Sequence, residues 1–145
     1  MKLSLYTDYG LRTLMFLAAH DGRHSVAEIA AAFDISRNHL TKVVQQLVNE
    51  GFVEGVRGRG GGLQLAVPAS ELNLGRIVRR MEGLGGFVEC FNRETNRCVI
   101  TPVCGLRKVM RGALDAFVLH LDQYSIADLV GEPETFRKVF AHQPH

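Results

Sequence analysis

A chain of 145 residues with 46% hydrophobic and 22% charged side chains can build one cored domain, or a small domain with a long appendage, and is not disordered in composition. An odd count of 3 cysteines argues against a secreted disulfide scaffold. No apolar run is long enough to span a bilayer or read as a signal peptide, so a cytoplasmic protein with free thiols and no membrane partner is expected. The net charge of +2 is uneven: −1 over residues 1–36, +4 over 37–80 and −1 over 81–145, which places the basic excess where a polyanion would be met.

Leu11, Leu14, Met15 and Ala18 recur at helical spacing from Thr7 to Ala19, predicting a first helix that ends before Asp21-Gly22. Ser25 and Glu28 form a capping-box pattern at the start of a short helix. After Asp34-Ile35, Ser36 can cap a further helix whose apolar stripe is Leu40, Val43, Val44, Leu47 and Val48, up to Gly51. Two short helices so joined are the pattern of a helix-turn-helix. The segments Phe52–Arg57 and Leu63–Val67 alternate at period two around the tract Gly58-Arg59-Gly60-Gly61-Gly62, which reads as a hairpin. That tract has neither the strand-to-helix context nor the Lys-Ser/Thr of a nucleotide-binding loop.

A fourth helix runs from Asn73 or Leu74 to Glu82, followed by a cysteine-bearing loop over 83–103. A long helix over Cys104–Leu121 carries the stripe Leu106, Val109, Met110, Ala113, Leu114, Phe117, Val118 and Leu121. A small domain cannot cover that stripe alone, so a second subunit is expected against it, in a homodimer. Ser125 caps a short helix, and the tail after Pro133 is expected to be partly mobile. The reading is mainly α: a winged helix-turn-helix over 1–82 with its recognition helix at about 36–50 and a two-stranded wing at about 52–67. A cysteine-bearing loop (83–103), a dimerisation helix with a short capped helix (104–130) and a C-terminal tail (131–145) follow.

In a helix-turn-helix, the N-terminal part of the second helix reaches base edges. With its apolar stripe turned inward, the outward residues are Arg37, Asn38, Thr41, Lys42 and Gln45. Arg forks onto guanine and Asn or Gln onto adenine, while Lys42 suits a phosphate. His39 is expected to pack against the first helix. Arg57 and Arg59 stand among glycines that allow close approach to DNA, and arginines so placed suit the narrow minor groove of A·T-rich sequence. The expected partner is double-stranded operator DNA.

Cys90, Cys98 and Cys104 fall within one short stretch, with gaps of seven and five residues and no C-x-x-C pair. Read from the residues alone, they leave several uses open: cluster ligation, zinc with a histidine such as His120, a thiol–disulfide switch, or unligated thiols. A cysteine-dependent enzyme would need a base beside one thiol, and no such Cys/His arrangement is seen. The chain is therefore read as a non-enzyme, with no catalytic residues.

Taken together, the helix-turn-helix, the wing Arg57-Gly58-Arg59-Gly60-Gly61-Gly62 and the three-cysteine loop resemble the NsrR/IscR family of iron–sulfur winged-helix regulators. Further matching segments are Thr7-Asp8-Tyr9-Gly10-Leu11-Arg12, Ser36-Arg37-Asn38-His39-Leu40 and Tyr124–Val130, so the likeness extends to about residue 130. Some members complete their cluster with a histidine three residues after the last cysteine, a position held here by Arg107. Nitric-oxide-sensing members can use an aspartate in the first helix of the opposite subunit, and Asp8 stands at that place. The resemblance thus implies a 4Fe-4S cluster, in preference to 2Fe-2S, on Cys90, Cys98, Cys104 and the partner subunit's Asp8. It further implies a transcriptional repressor released from DNA by nitric oxide. A regulator of the same fold that reports iron or cluster supply is the alternative, and a winged-helix module with structural zinc is another.

Overall fold

The computed structural model describes residues 2–142; residue 1 of the winged-helix unit and residues 143–145 of the tail lie outside the described residues. Helix α1 (Leu5–Ala19) starts at Ser4, whose hydroxyl accepts from the Thr7 N–H, and it forms the centre of the molecule. Its face of Leu14, Phe16 and Leu17 is buried against α2 (Val26–Phe33), α3 (Arg37–Asn49) and α4 (Leu74–Met81). Gly10 makes this close approach possible. A Cβ there would come within 2.8 Å of the Met81 methyl and within 3.8 Å of Val43 and Leu47, so α1 touches α3 and α4 at one point.

Ser25 and Glu28 form the reciprocal capping box, with Ser25 N–H donating to the Glu28 carboxylate (2.6 Å) and Glu28 N–H to the Ser25 hydroxyl (3.1 Å). Helix α2 ends on Asp34 in the left-handed conformation (φ 52°), a state that Asp tolerates because its short side chain can bond locally. The turn that follows leads straight into α3. Strands β1 (Val53–Val56) and β2 (Gly62–Leu65) pair antiparallel in the register Val53↔Leu65 to Val56↔Gly62. The result is the mainly helical winged helix-turn-helix with a two-stranded wing.

Helix α5 (Gly105–Leu121) leaves this unit and is joined to it through α4. Arg79 grips Asp122 with two 2.6 Å bonds, and the Asn73 side chain donates to the Asp122 carbonyl. The Arg79 guanidinium holds the Asp122 carboxyl below the usual carboxylate range. The Leu74 and Ile126 N–H groups then tie α4 to α6 (Ile126–Val130), whose own capping box is Ser125 and Asp128.

The chain departs from sequence expectation in two places. Residues 133–141, expected to be partly mobile, form helix α7 (Pro133–Ala141). Phe140 packs edge-on to Phe16 and Phe33 (centroids 5.6 and 5.2 Å), and the Arg137 guanidinium donates to the Ala19 carbonyl at 2.6 Å. His39 is exposed instead of packing on α1, because Leu40, Val43, Val44 and Leu47 already fill that contact. On α5 only Leu114 and Val118 are buried, whereas Leu106 and Val109 are 63% and 66% exposed.

Candidate DNA interface and cysteine cleft

Arg37, Asn38, Thr41, Lys42 and Gln45 all lie exposed on one face of α3, opposite the fully buried Leu40 and Leu47. Ser36 is the N-cap residue but its side chain makes no capping bond, so the amide end of the helix stays open to a phosphate. The Thr41 hydroxyl donates to the Arg37 carbonyl at 2.8 Å. Its hydrogen is therefore used within the helix, which leaves the hydroxyl oxygen as an acceptor.

Two contacts on α3 were not foreseen from the sequence. The Tyr6 hydroxyl donates to the Lys42 carbonyl at 3.2 Å, and Arg80 approaches Glu50 at 3.6 Å. Periodicity gives no signal for either, since both are polar contacts between distant segments.

At the wing tip, Gly58 (φ 92°) and Gly60 (φ 69°) occupy the left-handed region, which side chains other than glycine rarely adopt. Arg57 and Arg59 alternate with them, and both are exposed. The wing therefore presents two cations on a backbone thin enough to enter a groove.

The three thiols are brought together. Cys90, Cys98 and Cys104 line one cleft of about 190 Å³ with Val88, Ile100 and Met110, and all three are free and partly exposed. The loop reaches this arrangement through short 3-10 turns at 84–86, 89–91 and 101–103. It folds over its own small apolar cluster of Phe91, Leu114 and Val118, with Arg111 3.8 Å above the Phe91 ring. Cys98 is held from both sides. Its N–H donates to the Asn96 side chain (3.0 Å) and its carbonyl accepts from Thr101 (2.7 Å), while Glu89 accepts from the Arg97 N–H (2.7 Å). Asn96 and Thr101 are thus supports that the cysteine spacing alone did not reveal; the Asn-x-Cys order was the available sign.

Arg107 also lines the cleft and, as a permanent cation, cannot be a ligand. Asp8 is not part of it. Within one chain Asp8 is half-exposed and paired with Arg12 at 2.7 Å along α1. Glu82, a carboxylate near the loop, is committed elsewhere, accepting from the Ser4 N–H (3.1 Å) and hydroxyl (2.8 Å). Burial opposes its ionisation, yet donors from Thr7 and Ser4 prevail and hold it below its usual range.

The donor set discriminates among the metal groups considered. Among the described residues, no three His, Cys, Asp or Glu side chains converge on a point that could hold one ion. His120 stands sixteen residues up α5 from Cys104, about 24 Å along the axis, and its ring lies tilted beside that of Tyr124, with centroids 5.3 Å apart. A zinc site using His120 is therefore out of reach. A cluster places its thiolates on separate irons and needs no such convergence, so three soft thiols around one cleft fit a cluster; Glu89 also lines the cleft, with its carboxylate accepting from the Arg97 N–H.

The sequence profile of the Rrf2 family, described as an iron-dependent transcriptional regulator, matches residues 3–132. The chain belongs to the Rrf2 family. It is 47% identical over 141 residues to the HTH-type transcriptional regulator NsrR of Bacillus subtilis (strain 168), covering 96% of this chain and 97% of that protein. NsrR of Geobacillus kaustophilus is 44% identical, covering 96% of each. Among solved structures, the oxidised form of Staphylococcus aureus CymR superposes with a TM-score of 0.72 at 29% identity, over 90% of this chain and 97% of that one. T. potens IscR shares the fold at a TM-score of 0.74 and 24% identity, covering 100% and 93%. Membership of this family makes the chain a DNA-binding transcriptional regulator and not an enzyme. No described helix is long and apolar enough to cross a membrane.

Proposed function

We propose that this regulator is a repressor that grips operator DNA as a homodimer and releases it in response to nitric oxide. The sensing group is a 4Fe-4S cluster on Cys90, Cys98, Cys104 and the partner subunit's Asp8. The observation that carries the reading is the gathering of three free thiols around one cleft, in a chain 47% identical to a protein named NsrR. When bound, the cluster supplies iron that nitric oxide can attack.

The remaining roles belong to the chain's own residues. Val99, Ile100, Val103, Leu106 and Val109 are exposed, Ile100 and Leu106 of them on the cleft lining, and a second copy would cover them. Asp8 is available as a donor because its bond to Arg12 is surface-exposed and costs little to break. Glu82 joins the start of the cysteine loop to the first turn of α1 through Ser4, and Tyr6, two residues on, bonds the backbone of α3. A change at the loop is thereby passed to the helix that carries Arg37, Asn38, Thr41, Lys42 and Gln45. Two half-sites must be met about one helical turn apart, so a modest displacement of that helix ends binding. Arg57 and Arg59 add the minor-groove contact.

Anaerobically purified protein should contain iron and sulfide and absorb visible light. It should bind a selected operator tightly, and much more weakly after nitric oxide. Equal affinity before and after treatment refutes the reading. The iron-dependent description of the family favours one second reading, a reporter of iron or cluster supply. Release by an iron chelator with no response to nitric oxide would establish that one instead.

A further inference from the structure

The wing is gripped from outside itself. The turn between α1 and α2 runs alongside β2, and His24 and Leu63 exchange both backbone hydrogen bonds (3.0 and 2.8 Å) in an isolated antiparallel bridge. Gly62 permits this approach: a Cβ there would lie 3.1 Å from the His24 backbone and 3.2 Å from the Arg23 Cβ. From this position the Arg23 side chain reaches out along the hairpin. Its Nη1 donates to the Gly60 carbonyl at 3.2 Å and its Nε to the Gln64 side chain at 3.3 Å. The Gln64 amide is held in turn by Glu54 across the strands. Gly60 follows Arg59 directly, within a glycine tract that has little preference of its own for one orientation.

We propose that Arg23 is the positioning residue of the wing: its fork fixes the tip so that Arg57 and Arg59 meet the minor groove as a pre-set pair. This rests on the wing entering the minor groove, as read above. A lysine would keep the charge, but one ammonium cannot span two acceptors as a planar guanidinium does. Arg23 is exposed, so its replacement has little effect on folding.

The test compares full-length, iron-loaded parent, Arg23→Lys, Arg23→Ala and the double variant Arg57→Ala/Arg59→Ala. Duplexes carry A·T or G·C pairs at the positions protected in minor-groove footprints, and affinity is measured by anisotropy across a salt series. The parent should favour A·T by about tenfold per changed pair. Arg23→Lys should keep the parent's salt slope while that preference falls to about twofold. The double variant should lose both the preference and about two units of slope. Full preference in Arg23→Lys overturns the proposal, as does a lower slope in Arg23→Ala with preference intact, which would make Arg23 only a phosphate contact. Preference retained in the double variant overturns the minor-groove reading, and the proposal with it.

Discussion

The DNA-reading unit and the cysteine loop are held in different ways. The reader is fastened to a core of fully buried Leu14, Ile29, Leu40, Leu47 and Ile77, and α1, α2 and α4 carry side-chain caps at Ser4, Ser25 and Asn73. The loop rests on a smaller cluster of Phe91, Leu114 and Val118, with partly buried residues such as Phe87 and Met110 packed against it, in short turns with no side-chain caps. Contact density of this kind separates a rigid element from one that opens locally. Under the proposed function, a sensor built on the weaker region would rearrange without unfolding the part that reads DNA.

The largest effect that could break this contrast comes from Leu47→Ala. It should cost about 2–5 kcal/mol and lower the melting temperature of the whole chain, as calorimetry would show. Phe91→Ala should instead leave the main transition within about 1 kcal/mol, on the scale of a locally confined change. Amide exchange over 88–103 should rise and bound iron should fall. If Phe91→Ala lowers the main transition as far as Leu47→Ala, loop and reader form one cooperative unit and the contrast fails. The smallest effect sharpens the joint between them. Arg79 lowers the pKa of Asp122, so the bond's contribution is full above the usual carboxylate range and is lost as pH falls through the lowered value. Asp122→Asn should flatten that acid-side dependence of the melting temperature, whereas an unchanged pH profile would remove the joint from the account.

What could be read from the sequence follows the same division. The capping box at Ser25 and Glu28, the stripe Leu40–Val44–Leu47 and the glycine tract between alternating strands are local signals, and the fold carries them out. Helix α7 was missed because Glu132 offers it no side-chain cap and its anchors, Phe16 and Phe33, lie about a hundred residues earlier in the chain. The outward face of α3 was legible since burial of one stripe determines the other. The grip of Arg23 on Gly60 was not, because nothing in a period or a spacing reports a side chain bonded to a distant carbonyl.

The bond from Tyr6 to Lys42 ends on a carbonyl of α3 and not on a side chain. A pull transmitted there displaces the helix as a body, carrying Arg37 through Gln45 without reorienting any one of them against its neighbours. Under the proposed function, the chemical alphabet offered to the bases would be the same with and without the signal. What would alter is the tightness of the grip, so a signal entering through α1 would turn an operator's occupancy up or down without redirecting the protein to a different set of genes.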